Sequence, residues 1–297
     1  MGGGYRSRQS ELGHFERTFL DSGENPPRGA IFTWYLPEAP SEPVKLSIAK
    51  TGGDVVRTFS SRLETDETPA KEVRIPAVAG WNRFVWDLLH APATKIRGDD
   101  PPAEMTISGP FVAPGEYTVT LTVGDTVLTQ PLSVIKPRNI TTPDADLLAQ
   151  EAFLLDMHRQ VERTVGKINQ MRDLRKQLKA WEERATAAPK GKKAVEAITD
   201  LHGKVEAIEH SILVPDLRAG WADSINAGSR LFDKLINLPA VAQFGDYRPT
   251  DAVQAAFNDI SSQIDKQIKA FDKLVKKELP AVNAAIAAAK LETIHIG

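Results

Sequence analysis

Between residues 30 and 135 apolar and polar positions alternate with period two in short runs broken by Gly, Pro and Asp, the pattern of strands that bury one face of an antiparallel sheet. In Val44-Lys45-Leu46-Ser47-Ile48 the apolar side chains share a face, and Thr51-Gly52-Gly53-Asp54 supplies a turn into Val55-Val56-Arg57-Thr58-Phe59. Phe84, Trp86 and Leu88 alternate with Arg83, Val85 and Asp87, which directs a large aromatic face toward a core, and both Trp81 and Trp86 are expected to serve packing. The run 113–123 carries threonine on its outward face, turns at Gly124-Asp125 and returns over 126–135. About seven short strands at this spacing predict an immunoglobulin- or fibronectin-like antiparallel β-sandwich. Such an architecture implies no chemistry of its own.

Beyond Pro137 the period changes. Thr142 is placed to cap a helix with Pro143 at its first position. From residue 144 to about 185, Leu154, Met157, Val161, Val165, Ile168, Met171, Leu174, Leu178 and Trp181 recur at steps of three and four, predicting one helix roughly 60 Å long. Ala188-Pro189-Lys190-Gly191 breaks it. Ala194, Ile198, Leu201, Val205, Ile208 and Ile212 then follow a coiled-coil-like alternation, so a second helix returns antiparallel to the first. A shorter helix is expected from Asp223 to Asn237, ended by Leu238-Pro239. The last long helix starts near Thr250, carries Val253, Phe257, Ile260, Ile264, Ile268, Phe271 and Leu274 on one stripe, and is kinked or ended by Pro280. Three or four such helices make a bundle. The fold class expected is α+β and multidomain: a tail or linker over 1–28, the immunoglobulin-like sandwich over 29–136 and an α-helical bundle over 137–297.

Composition narrows the functions. With 37 basic against 39 acidic side chains and a net charge of −2, nothing draws the chain as a whole toward nucleic acid or anionic lipid, and no nucleic-acid partner is expected. The absence of cysteine removes disulfides, thiol catalysis and thiolate metal sites together. No apolar run approaches the roughly 18 residues of a membrane span, and no export signal follows Met1, so a soluble chain is expected. The glycine-rich start running into polar sequence fits a piece of a longer polypeptide, the expectation taken here, and equally a flexible native terminus.

Three motifs occur in order: Glu24-Asn25-Pro26-Pro27-Arg28-Gly29-Ala30 leading into Tyr35-Leu36-Pro37, then Gly80-Trp81-Asn82-Arg83-Phe84-Val85-Trp86-Asp87, then Pro114-Gly115-Glu116-Tyr117. Together they resemble the C-terminal region of bacterial sortilin-like, BNR-repeat "glycosyl hydrolase" proteins, whose sandwich is similar to the flagellar hook-capping type of immunoglobulin-like domain. The resemblance covers nearly the whole chain. It implies an accessory region that follows one or two β-propellers in an exported parent protein of the cell envelope, periplasm or medium. The propeller repeats of the Ser-x-Asp-x-Gly-x-x-Trp kind are not found here, so no catalytic residue carries over, and any glycosidase activity of such a parent would belong to a propeller absent from this chain.

The search for chemistry by residue type yields little. Asp99-Asp100 and Glu182-Glu183 are acidic pairs, but adjacency in sequence does not flank a cleft, and the first reads as an exposed loop. His14, His90, His158, His202, His210 and His295 lack any spacing that would put two ligands on one helix face. No metal site or cofactor is therefore expected, and His202 and His210 fall off the apolar stripe, toward solvent. Lys167, Arg172, Arg175, Lys176, Lys179, Arg184, Lys190, Lys192 and Lys193 make the first helical hairpin basic, but Glu162, Asp173, Glu182, Glu183 and Glu196 interleave, as on a solvated face. Trp34 and Tyr35 are adjacent on the first strand of the sandwich, so period two turns one of them outward. An outward ring there suits packing against a partner such as an upstream propeller, or stacking on a glycan. An accessory or scaffolding role is the leading expectation, and carbohydrate binding through Trp34 and Tyr35 is its rival.

Overall fold

The structure, a computed structural model, describes residues 5–9 and 15–19 by their backbone and residues 26–62, 73–215 and 228–291 in full. The expected helix start at Asp223 lies outside the described residues, as do His14 and His295. The architecture is α+β. Strands β1 (Tyr5–Gln9) and β2 (Phe15–Phe19) pair antiparallel with each other, within the stretch read from sequence as a tail. Strand β3 (Ala30–Leu36) is followed by β4 (Val44–Lys50), β5 (Val55–Ser60) and β6 (Gly80–Trp86), and after a long connection by β7 (Gly115–Val123) and β8 (Thr126–Val134). β3 pairs with β6, and a second antiparallel sheet runs in the order β5-β4-β7-β8.

Both sheets contribute to one apolar cluster. Trp34, Phe84 and Trp86 come from one sheet, and Leu46, Ile48, Phe59, Tyr117 and Val119 from the other, as the period-two pattern requires when one face of each strand is dry. Phe59 and Phe84 meet edge to face at 4.6 Å, and Trp86 and Tyr117 at 6.1 Å. Gly29 enters β3 at φ +131°, and a Cβ there would lie 2.0 Å from the Trp86 carbonyl oxygen, so only glycine lets the β3–β6 ladder close at this end. Gly29→Ala is expected to lower the unfolding free energy by about 2 kcal/mol or more, measured by urea denaturation.

The connection between β6 and β7 leaves the sheets altogether. Leu88 takes a left-handed φ of +62°, and the chain beyond it runs out along the helices until the Leu89–Phe111 bridge closes its base. Ala93 and Ile96, within the stretch whose alternation was read as sandwich, are buried in the helical core instead. Side chains of the first long helix hold this strap by its backbone. The Thr94 N–H donates to Glu162 (2.7 Å) and the Arg97 N–H to Asn169 (2.7 Å), while the Asn169 amide donates to the Lys95 carbonyl (3.0 Å). One short helical turn, α1 (Pro101–Glu104), lies at its far end.

Four further helices follow: α2 (Asp144–Ala187), α3 (Lys192–Ile212), α4 (Leu231–Ala242) and α5 (Asp251–Ala288). Arg172 reaches Glu209 across 37 residues and Thr199 reaches Glu182 across 17, so separation shrinks toward the turn and α3 runs antiparallel to α2. Gln160 to Asp265 and Lys167 to Asp272 both span 105 residues, so α5 runs parallel to α2. The apolar stripes of these helices meet in one core that includes Ile168, Leu174, Ile198, Phe232, Ile264 and Phe271.

Two helix ends differ from the sequence expectation, and at Pro280, expected to kink or end the last helix, the helix does not end. α2 begins without a side-chain cap, because the Thr142 hydroxyl donates to the Asp246 carbonyl, and Asp144 and Asp146 supply negative charge to the first turn instead. α4 continues through Pro239 to Ala242, since Phe232, Leu235 and Ala242 are buried and Gln150 of α2 donates to the carbonyls of Ala242 and Gly245. α5 likewise runs through Pro280, with Leu279, Val282 and Ile286 buried on either side, so packing outweighs the hydrogen bond that proline removes. Thr250 does cap α5, accepting from the Val253 N–H at 3.3 Å.

Candidate functional site

The outer face of the β3–β6 pair leaves two facing aromatic rings exposed. Period two turns Trp34 into the core and Tyr35 out, and the register sets Tyr35 directly opposite Trp81. Tyr35 is 58% exposed and Trp81 74%, with ring centroids 5.5 Å apart at 67°. Trp81 therefore does not pack inward as expected. It shares the phase of Arg83 and Val85, not that of Phe84 and Trp86, and this alternation was the signal that could have found it. Thr33 opposite Arg83 and Ile31 opposite Val85 continue the same face. Buried Asn82 holds the turn that presents Trp81: its amide donates to the carbonyls of Val78 (2.9 Å) and Gly80 (3.1 Å), and its oxygen accepts from the Val78 N–H (3.0 Å). Trp34 is buried, yet its indole N–H has no acceptor among the described residues.

A second group of chemical residues lies where β4, the strap and α2 meet. The Glu151 carboxylate, 3% exposed, is held by Lys50 at 2.6 Å and by His90 Nε2 at 2.8 Å. Burial pushes this carboxyl up, but the hydrogen bonds and charges of His90 and Lys50 outweigh it and hold it below the usual glutamate range. Burial, then the nearby Glu151 charge, pushes the Tyr117 phenol well up; its hydroxyl donates to the Ala113 carbonyl at 2.6 Å. Burial holds His158 below the ordinary histidine value. Acid, base and ammonium thus sit together, but each oxygen of Glu151 is taken by a neighbour, and the arrangement joins strand to helix without leaving a substrate position.

The third group lines an open hollow of about 620 Å³ between the far end of the strap and the α2–α3 hairpin. Arg172 donates to both Asp100 oxygens (2.8 and 2.5 Å) and through Nε to Glu209 (2.9 Å), and Arg175 holds the other Glu209 oxygen (2.7 Å) and also meets Glu206. Asp100 is thus clamped, while Asp99 is exposed as the loop reading expected. Of the other acidic pair, Glu182 accepts from Thr199 at 2.5 Å. Part of the basic run on this hairpin is paired in place: Lys167 with Asp272, Arg172 with Asp100 and Glu209, and Arg175 with Glu206 and Glu209, while the Arg184 guanidinium lies over Trp181 at 4.3 Å. His210 is exposed and His202 half-buried. Among the described residues no group of three or more His, Asp or Glu is arranged to hold a metal ion, and no helix is long and apolar enough to cross a membrane.

No family model, curated protein or solved structure matches the chain.

Proposed function

We propose that residues 29–136 form an immunoglobulin-like sandwich with a non-catalytic docking face, and that the chain is an accessory or scaffolding region of the sortilin-like, BNR-repeat kind, packing against a β-propeller or another protein. Three observations support the sandwich. The strand order β5-β4-β7-β8 opposite β3-β6 is that of a Greek-key sandwich, both sheets feed one core, and Tyr117 near the start of β7 bonds back to Ala113 in the manner of a tyrosine corner. The ordered Asn-Pro-Pro-Arg-Gly-Ala, Trp-Asn-Arg-Phe-Val-Trp-Asp and Pro-Gly-Glu-Tyr motifs support the family reading.

The docking role rests on the Tyr35–Trp81 pair, two large rings left in water on a face continued by Ile31 and Val85. Each charged cluster described above closes on itself, which favours structure over catalysis. Oxidative footprinting tests the role: Trp81 is expected to label readily in the isolated chain and to be protected in the native product from its source. Equal labelling in both would remove the docking reading.

A second reading, carbohydrate binding, is favoured by the same rings flanked by Thr33 and Arg83, a stacking surface with hydrogen-bonding neighbours. A glycan array without hits for the wild-type chain ends it. Under either reading, Tyr35→Ala with Trp81→Ala is expected to weaken binding at this face about tenfold while leaving the unfolding free energy within about 1 kcal/mol of wild type.

A further inference from the structure

We propose that the outer face of α5 binds an acidic polysaccharide, a linear chain whose sugar units carry carboxylate or sulfate groups. The inference stands on the helical half of the chain and is independent of the aromatic face of β3 and β6. Lys266, Lys269, Lys273, Lys276 and Lys277 are all exposed. At about 100° per residue they fall within one arc of roughly 100°, opposite the buried stripe of Ile260, Ile264, Ile268 and Phe271. The row is roughly 16 Å long, with successive lysines mostly about 4.5 to 6 Å apart along the axis. The acids that could neutralise it are turned to the flanks and already engaged. Asp265 is bound by Arg163 and Gln160 and Asp272 by Lys167, all from α2, and Glu278 by Lys204 of α3. Asp259, nearer the start of α5 on the same arc, accepts from Gln263 at 2.8 Å. Among the described residues none of the five lysines forms an ion pair, so a chain of net charge −2 carries a straight row of uncompensated positive charge.

The row runs into a hollow of about 470 Å³ on the same helix, lined by Asn258, Ser261, Ser262, Asp265, Lys266 and Lys269. The exposed side chains of Asn258 and Ser262 make no hydrogen bond among the described residues, and the Ser261 hydroxyl is buried without a partner. Free amide and hydroxyl groups beside ammonium groups suit a ligand that carries hydroxyls and anions together, as an acidic sugar does. The alternatives fit less well. A bilayer surface is flat and does not enter a hollow, and the lysine arc holds no large apolar side chain to insert into one. Single-stranded nucleic acid is gripped by stacking rings, but Phe257 and Phe271 of α5 pack into the core. α5 contains no arginine, the residue of planar, bidentate recognition; lysine ammonium groups on flexible stems act as point charges, which suits anions strung along a flexible chain.

The test uses the full chain with fluorescein-labelled dextran sulfate and polygalacturonate, and unsulfated dextran as the neutral chain. In fluorescence anisotropy at about 0.15 M salt one or both acidic polymers are expected to bind, which names the charged group, and dextran is not. Lys266→Gln, Lys269→Gln and Lys273→Gln together are expected to weaken binding about tenfold or more. The same charge removed from the α2–α3 hairpin, by Lys179→Gln, Lys192→Gln and Lys193→Gln, is expected to leave it within about twofold. The α5 triple variant should keep or raise the wild-type urea midpoint, since like charges at these spacings repel, so its lost binding is not lost folding. Asn258→Ala with Ser262→Ala is expected to weaken binding about threefold, a loss that persists at high salt because it removes hydrogen bonds and not charge. Failure of both acidic polymers to bind overturns the inference. So does an equal loss in the two triple variants, which assigns binding to net charge, or wild-type binding by the Asn258 and Ser262 variant. Duplex DNA, polyglutamate or anionic vesicles binding as tightly as the polysaccharides also overturns it, and assigns the row to nucleic acid, acidic protein or lipid according to which binds.

Discussion

Replacing Arg172 with methionine is expected to lower the unfolding free energy by about 3 kcal/mol, with urea denaturation as the readout and an unchanged dependence on denaturant. Glu209 is only 1% exposed, and its two carboxylate oxygens are divided between Arg172 and Arg175. Without Arg172, one oxygen of a carboxylate held away from water loses its donor. Asp100 loses a bidentate partner and the Arg97 carbonyl a 2.6 Å hydrogen bond, so the far end of the strap comes off α2 as well. Burial alone would lower the Arg172 guanidinium's affinity for its proton, but the bonds and charges of Asp100 and Glu209 raise it, which marks the cluster as net favourable for the ionised forms. The effect is placed at the low end for a broken buried pair because Asp100 is partly exposed and can rehydrate. Arg172→Lys should recover less than half, since a single ammonium cannot reach Asp100, Glu209 and a carbonyl at once. A loss below about 1 kcal/mol for methionine would mean that water screens these pairs as it does surface ones.

Elements whose side chains sort by period were legible in the sequence. The β4–β5 hairpin, the β7–β8 pair with its Gly124-Asp125 turn, and the apolar stripe of α2 follow directly from alternation and from steps of three and four. Trp81 was legible as well, for its phase opposes that of Trp86, but its aromatic character outweighed its position in the reading. Other features depend on which segments meet, and periodicity carries no such information. Ala93 and Ile96 stand three apart, which sets them off from a strand without saying what they pack on; Leu88 in a left-handed conformation diverts them to the helices. Pro239 reads as a break, and Pro280 as a kink or a break, because the packing on both sides of each, which holds the helix together, is tertiary. Of the candidate site, sequence supplied the Trp34–Tyr35 pair and the rule that one of the two faces outward; which one it is came from the burial. The partner ring and the buried carboxylates Glu151 and Glu209 required the register and the crossings of the chain.

The junction around Glu151 gives the second large effect, one whose sign depends on pH. In the wild-type protein the folded carboxyl is held below its ordinary value near 4.5, so its contribution to stability is complete above about that pH and is lost as pH falls through the folded value. His158, held below 6.5 by burial, acts in the same direction: between its folded value and about 6.5 the unfolded chain binds the proton and the fold does not, so acidification weakens the fold. Asp233, raised above 3.8 chiefly by burial, opposes both: between its folded value and about 3.8 the fold binds a proton that the unfolded chain does not. Replacing Lys50 with methionine and His90 with phenylalanine removes both partners of Glu151 while keeping apolar bulk. At neutral pH the double variant is expected to lose about 3 kcal/mol or more, because a carboxylate only 3% exposed is left unpaired. Burial is then unopposed, so the folded carboxyl rises above its unfolded value, and the variant regains the Glu151 contribution as pH falls toward about 4.5, where the wild type begins to lose that contribution. The measurement is urea denaturation of both proteins between about pH 7 and pH 4. A converging pair of curves is the expected result, and a gap constant with pH would assign the loss to packing around Lys50 and His90 instead of to the charge of Glu151.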